Sequence, residues 1–109
     1  MGEIKHDIKQ QGAWTVFGLE GQLDRTTAGE VGEKLSETLK DSSKLAVECS
    51  GLDYISSAGI RIFLRLAKQA KAEGKGFCIC GAAGFVKEVL EDANLDVLVE
   101  MYPSAESLS

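Results

Sequence analysis

Leu52-Asp53-Tyr54-Ile55-Ser56-Ser57-Ala58-Gly59-Ile60 is the stretch that decides how this chain folds. Before it, the alternating apolar run Leu45-Ala46-Val47-Glu48-Cys49 reads as a strand that stops at Ser50-Gly51, and after it a helical pattern begins near Ala58. The two serines therefore stand where a strand hands over to a helix. The first N–H groups of a helix have no intrahelical acceptor, and the helix dipole presents partial positive charge there. Ser56 or Ser57 can accordingly either cap the helix or carry a phosphate.

The helix that follows is the longest in the chain, running from Ala58 to about Glu73 and ended by Gly74-Lys75-Gly76. Ile60, Phe63, Leu64, Ala67 and Ala70 can face a sheet. Arg61, Arg65, Lys68 and Lys71 follow one another at steps of four, three and three, which lines four cations along another face. That stripe is either an ordinary solvated surface or a place where an acidic partner docks. Phe77-Cys78-Ile79-Cys80 has the unbroken apolar character of a strand buried in an α/β sheet. A helix over 83–93 follows, with Phe85, Val86, Val89, Leu90 and Ala93 as its apolar face. Asn94 suits a left-handed cap, with Leu95 supplying the apolar contact beyond it. The region 96–101 contains a last strand, and 103–108 at most one or two helical turns opened by Pro103.

Upstream, 4–9 and 13–20 read as two strands joined by a Gly-containing turn at 10–12. Trp14 and Val16 point one way and Phe17 and Leu19 the other, so the second strand is covered on both faces and central. Gly21-Gln22-Leu23-Asp24-Arg25-Thr26 is a polar connection. Thr27-Ala28-Gly29-Glu30 matches a capping box and starts a helix whose inward stripe is Ala28, Val31, Leu35 and Leu39. Glu30 and Lys34 stand at the favourable i,i+4 spacing on its outer side. The resulting order, β-β-α-β-α-β-α-β, predicts an α/β fold whose sheet is parallel wherever a helix forms the crossover.

Length and composition bound the functions available. A chain of 109 residues with 44% hydrophobic content and one proline is expected to form a single domain over 1–109. Its formal net charge of −5 offers no general attraction to nucleic acid, which basic faces normally announce. No apolar segment near the start resembles a signal peptide, and none approaches the roughly 18 consecutive apolar residues of a membrane span, so a cytoplasmic protein without direct membrane insertion is expected. Met1-Gly2 opens a myristoylation-like pattern, but His6 stands where that signal needs serine or threonine. Cys49, Cys78 and Cys80 lie in apolar runs and read as reduced, buried thiols.

A catalytic set is not evident. His6 is the only histidine and reads as a surface or sheet-edge residue, far in sequence from any candidate nucleophile, so neither a Ser-His-Asp nor a Cys-His arrangement is expected. Zinc wants about four ligands, which Cys78, Cys80 and a lone histidine do not supply. Neither glycine-rich nucleotide motif is present, and Gly74-Lys75-Gly76 ends a helix instead of opening one. No cofactor and no metal are expected. Asp24 and Asp53 are the carboxylates nearest the loops of interest, Asp53 as an ordinary loop acid.

In these features the chain resembles the STAS domain family, specifically bacterial anti-sigma factor antagonists. The likeness rests on Leu19-Glu20-Gly21-Gln22-Leu23-Asp24 leading into a helix, on the strand before residues 52–60, and on strand 77–80 with its following helix. It implies a curved, mixed sheet of four to five strands with helices packed mainly on one face. It also implies a non-enzymatic module that binds a partner acting as both anti-sigma factor and serine kinase. That kinase uses ATP to phosphorylate the module and so breaks the complex, and a PP2C-type phosphatase restores it. By position the phosphorylated serine maps onto Ser57, two residues before Gly59. Many family members have Asp directly before that serine where this chain has Ser56, which makes Ser56 the second candidate acceptor. Asp24 maps onto an acidic contact near the serine turn, and the expected partner surface comprises Asp24, Ser56, Ser57, Gly59, Arg61 and Arg65. Two alternatives stand beside this: a kinase-independent STAS accessory subunit of a transporter or signalling assembly, and a small enzyme using Ser57 or a cysteine as nucleophile.

Overall fold

The computed structural model describes residues 2–108. Ile4–Gln11 (β1) and Trp14–Leu23 (β2) form an antiparallel hairpin around Gly12, whose φ of 60° is open to glycine without strain. Lys44–Ile55 (β3), Gly76–Cys80 (β4) and Glu100–Tyr102 (β5) then add in parallel, in the sheet order β1-β2-β3-β4-β5. Each parallel pair is joined by a helical crossover: Ala28–Lys40 (α1), Ser57–Ala72 (α2), and Gly84–Asp92 (α3) with the single turn Leu95–Leu98 (α4).

Strand alternation assigns the two faces of the sheet. Phe17, Leu19, Leu45, Val47, Cys49 and Ile79 pack beneath Val31, Leu35, Ile62, Phe63, Leu66, Val86 and Leu90 from α1, α2 and α3. The opposite face is smaller: Val16, Ala46, Cys78 and Cys80 are covered by Trp14, Tyr102, Ala105 and Leu108, of which Ala105 opens and Leu108 follows a short 3-10 turn at Ala105–Ser107. The sheet is thus mixed, with its helices on one face, as the family resemblance implies, and β2 is central with opposite sides buried in different clusters. All three cysteines are free and buried. Burial lifts their thiols, Cys78 to about 12 and Cys80 to about 11, with Cys49 raised further.

Four local expectations are corrected. β3 does not stop at Ser50-Gly51 but continues to Ile55, because two bulges each place one extra β3 residue opposite β2. Gly18 pairs with Glu48 but Glu20 with Gly51, and Gly21 pairs with Leu52 but Gln22 with Tyr54. A Cβ on Gly51 would stand 2.9 Å from the Leu19 carbonyl oxygen, so glycine here permits close strand approach instead of ending the strand. In α2 the buried positions are Gly59, Ile62, Phe63, Leu66 and Ala70, since α1 also covers this helix and draws Ile62 inward, while Ile60, Leu64 and Ala67 are half-buried. Phe85 leaves the α3 core face: it is exposed and stacks on exposed Tyr54, ring centroids 5.7 Å apart. Residues 95–98 are helical, which shortens the last strand to 100–102. The left-handed Asn94 (φ 61°) and buried Leu95 stand where the sequence puts them.

Candidate functional site

The site lies at the carboxyl ends of two neighbouring parallel strands. Leu23, the last residue of β2, pairs in register with Ile55, the last of β3, and the next peptide tightens the pair: Ser56 N–H donates to the Leu23 carbonyl at 2.9 Å. The Asp24 loop and the serine turn are therefore adjacent, an arrangement that sequence spacing alone does not reveal.

The Asp24 loop is held from within. Asp24 Oδ1 accepts from Thr26 N–H at 2.9 Å, from the Thr26 hydroxyl at 2.6 Å and from Thr27 N–H at 3.2 Å. The Thr26 hydroxyl, with the two N–H groups, holds the Asp24 carboxyl below the ordinary carboxylate range, outweighing the desolvation that opposes it. This replaces the expected capping box. The Thr27 hydroxyl donates backward to the Gln22 carbonyl at 2.8 Å and accepts Asp24 N–H at 3.0 Å, so it makes no bond to the helix it precedes. Glu30 reaches forward instead, to Lys34 at 3.4 Å.

The two serines differ. Ser56 is extended and occupies the N-cap position of α2, yet its side chain makes no capping hydrogen bond and its Oγ is buried without a partner among the described residues. Ser57 is the first helical residue and is exposed. Gly59 is buried directly behind them: a Cβ there would stand 2.8 Å from Ile55 Cγ1 and 2.9 Å from Leu23 Cγ, so the glycine lets α2 settle onto the two strand ends. Gly59 thus supports the surface from behind. Arg61 and Arg65 are exposed on the outer side of α2, as are Lys68 and Lys71.

Beside the turn lies an open cleft of about 720 Å³ lined by Gly2, Glu3, Gly21, Gln22, Thr26 and Asp53. Asp53 is the extra residue of the second bulge and is exposed, beside the stacked pair Tyr54 and Phe85. That aromatic pair was not visible as a surface feature in the sequence; its signal is Phe85 following Gly84 in the first turn of a helix whose core face is already filled by Val86 and Leu90. Arg25 comes near Arg61 and Arg65 only through the packing of α1 against α2, which sequence spacing does not reveal. His6 is exposed and stacks on Phe17 in the first hairpin, at 5.0 Å between centroids. Among the described residues, no group of three or more His, Cys, Asp or Glu side chains could hold a metal ion, and no helix is long and apolar enough to cross a membrane.

An antiparallel leading strand, three parallel successors and helices confined to one face define a small mixed-sheet α/β domain, with a solvent-facing serine at one of its strand-to-helix turns. Within that class the chain belongs to the STAS domain family, whose model matches residues 5–108. It is 29% identical over 90 residues to BtrV of Bordetella bronchiseptica, provisionally named an anti-sigma factor antagonist, a match spanning 82% of this chain and 75% of BtrV. In fold it is similar to an anti-sigma factor antagonist from Mycobacterium paratuberculosis, with a TM-score of 0.87, 20% identity, and 95% and 89% of the two chains covered. It is also similar to the Bacillus cell fate determinant SpoIIAA in its phosphorylated form, with a TM-score of 0.72, 15% identity, and 94% of each chain covered.

Proposed function

We propose that this chain is a single-domain anti-sigma factor antagonist: a non-enzymatic module that sequesters an anti-sigma factor with serine kinase activity and is released when that partner phosphorylates Ser57. A PP2C-type phosphatase would remove the phosphate and restore binding. The observation that carries the proposal is the contrast at the turn. Ser57 is exposed at the first position of α2, while the Ser56 hydroxyl is enclosed, so Ser57 is the acceptor a kinase can reach. The names of the relatives and the phosphorylated state of one of them agree with this assignment.

The chemistry of release follows from charge. A phosphate adds roughly −1.5 to −2 charge at neutral pH, here on a turn beside Asp24, whose carboxylate is held ionised by its hydrogen bonds. Like charges brought together across an interface cost several kcal/mol, and each ~1.4 kcal/mol is tenfold in affinity. The test is incubation with ATP and the kinase that co-purifies from the native cell, read by intact and fragment mass, together with partner binding by Ser57→Asp. One phosphate on Ser57 and a weakened complex are expected. A phosphate elsewhere, or equal binding by the parent and Ser57→Asp, would overturn the assignment, and a stable partner that never phosphorylates the chain would favour the accessory-subunit alternative.

A further inference from the structure

Arg25, which precedes α1, meets Arg61 and Arg65, one turn apart on α2, at the open end of the seam between α1 and α2. There they ring a groove of about 300 Å³ whose remaining lining is Ala28, Gly29, Ala58 and Ile62. The seam is built from small residues on the α1 side. Among the described residues, no atom beyond its own stretch of α1 lies within 4 Å of where a Gly29 Cβ would stand, and Arg65 Nη2 lies 3.2 Å from the corresponding position at Gly32, so this guanidinium rests over the α1 backbone. Farther along, the Ser36 hydroxyl bonds Gln69 Oε1 at 3.2 Å and closes the seam.

The three arginines are exposed, and among the described residues none lies within ion-pair distance of a carboxylate; the ion pairs are Lys34 with Glu30 and Lys75 with Glu73. This is notable in a chain with 17 acidic against 12 basic residues, where counter-charges are plentiful. Lys68 and Lys71, which the sequence places in one stripe with Arg61 and Arg65, do not line the groove. A guanidinium presents a planar fork that pairs bidentately with a carboxylate. Buried Ile62 and the small side chains of Ala28 and Ala58 give the groove an apolar floor against which the methylenes of a glutamate can lie.

We infer that this groove docks a glutamate-bearing segment of the protein partner, with Arg25, Arg61 and Arg65 as its carboxylate receptors. The inference rests on the reading above only in needing a protein partner, and it does not depend on modification of Ser57. It places a second contact beside the switch, since Ala58 in the groove wall is the neighbour of Ser57.

The test is a two-dimensional amide NMR titration of the protein with an acetylated oligoglutamate peptide, and in parallel with tripolyphosphate. The peptide is expected to shift the Gly29 and Ala58 amides. Combined Arg25→Ala, Arg61→Ala and Arg65→Ala should weaken it about tenfold, as three exposed ion pairs of modest strength would, while Lys68→Ala with Lys71→Ala should leave it unchanged. Equal losses in both variants, tighter binding of tripolyphosphate than of peptide, or unmoved Gly29 and Ala58 amides would overturn the inference. With the co-purified partner, full binding by the triple arginine variant alongside release by Ser57→Asp would remove the groove and leave the switch. The opposite pair of results would remove the switch and leave the groove.

Discussion

Gly59→Ala offers a demanding test of how the site is assembled. An alanine is worth about 1 kcal/mol more than glycine in a helix interior, so propensity alone makes this change stabilising. The packing opposes it. The new Cβ would stand 2.8 Å from Ile55 Cγ1, 2.9 Å from Leu23 Cγ and 3.0 Å from Leu23 Cδ2. Leu23 and Ile55 are 0% and 2% exposed and have no room to swing away, and the atoms struck are the Ile55 Cγ1 methylene and the Leu23 branch carbon with one of its methyls. Overpacking of this kind costs roughly 1–3 kcal/mol; with contacts this short on two immobile side chains the upper half of that range applies, leaving a net loss of about 1–2 kcal/mol. For a domain of this size that lowers Tm by about 4 °C or more. Urea unfolding with an unchanged m-value would measure it, and faster hydrogen exchange at the Ser56 amide would report the strain reaching its bond to the Leu23 carbonyl. Gly29→Ala is the internal control: with nothing beyond its own stretch of helix within 4 Å of its Cβ, and in the first turn of α1, it should be neutral or stabilising by less than about 1 kcal/mol. If both substitutions stabilise the protein alike, the close seating of α2 on the strand ends is refuted.

Asp24→Asn should reveal the depressed Asp24 ionisation. A carboxyl whose folded-state pKa lies below its unfolded value contributes stability that is complete above the unfolded value and is lost as pH falls through the folded one. The parent should therefore exceed Asp24→Asn in stability at neutral pH, with the gap closing in acid below the ordinary carboxylate range; a gap constant across that range would contradict the bonds from Thr26 and Thr27. Native protein at pH 8 should resist iodoacetamide at Cys49, Cys78 and Cys80, all buried with raised pKa values, and take up three labels once unfolded in urea; rapid native labelling of any one would show its covering to be open. Phe85→Ala should cost less than about 1.5 kcal/mol because the ring is exposed and gains mainly its stack on Tyr54, whereas Phe63→Ala, fully buried, should cost about 3–5 kcal/mol. Equal losses by chemical denaturation would return Phe85 to the core.

The departures from sequence pattern share a cause. Ser50-Gly51 looks like a strand end because a bulge glycine and a terminating glycine are the same letter; the Leu19 carbonyl 2.9 Å away distinguishes them, and it belongs to another strand. In α2, apolar residues at 60, 62, 63, 64, 66, 67 and 70 allow two overlapping inward stripes. The choice falls to Ile62 and Leu66 because Gly32 of α1 admits Ile62 at contact distance. The Thr27 and Glu30 pattern fails as a capping box since Gln22 and Asp24 take the threonine hydroxyl first. What was legible depended on local period: the α1 stripe, the two-sided burial of β2 and the left-handed Asn94. Asp24 was tied to the serine turn only by family resemblance; the register of Leu23 with Ile55 supplies the physical reason.

That Ser56 stands where the family resemblance implies an acid bears on how the proposed switch would work. With serine there, the unmodified turn is neutral at both hydroxyls, and its nearest charges in sequence are Asp53 behind and Arg61 ahead. A phosphate on Ser57 would enter at the start of a 16-residue helix, where the dipole favours it by about 0.3–2 kcal/mol, so the domain itself has no cause to unfold. Arg61 follows Ser57 by four residues, the spacing at which side chains on a helix meet. A phosphate there and a partner carboxylate in the arginine groove would then compete for one guanidinium. Modification would place repulsive charge at the turn and draw away one receptor of the neighbouring groove, so that both contacts weaken together while the fold beneath them is unchanged.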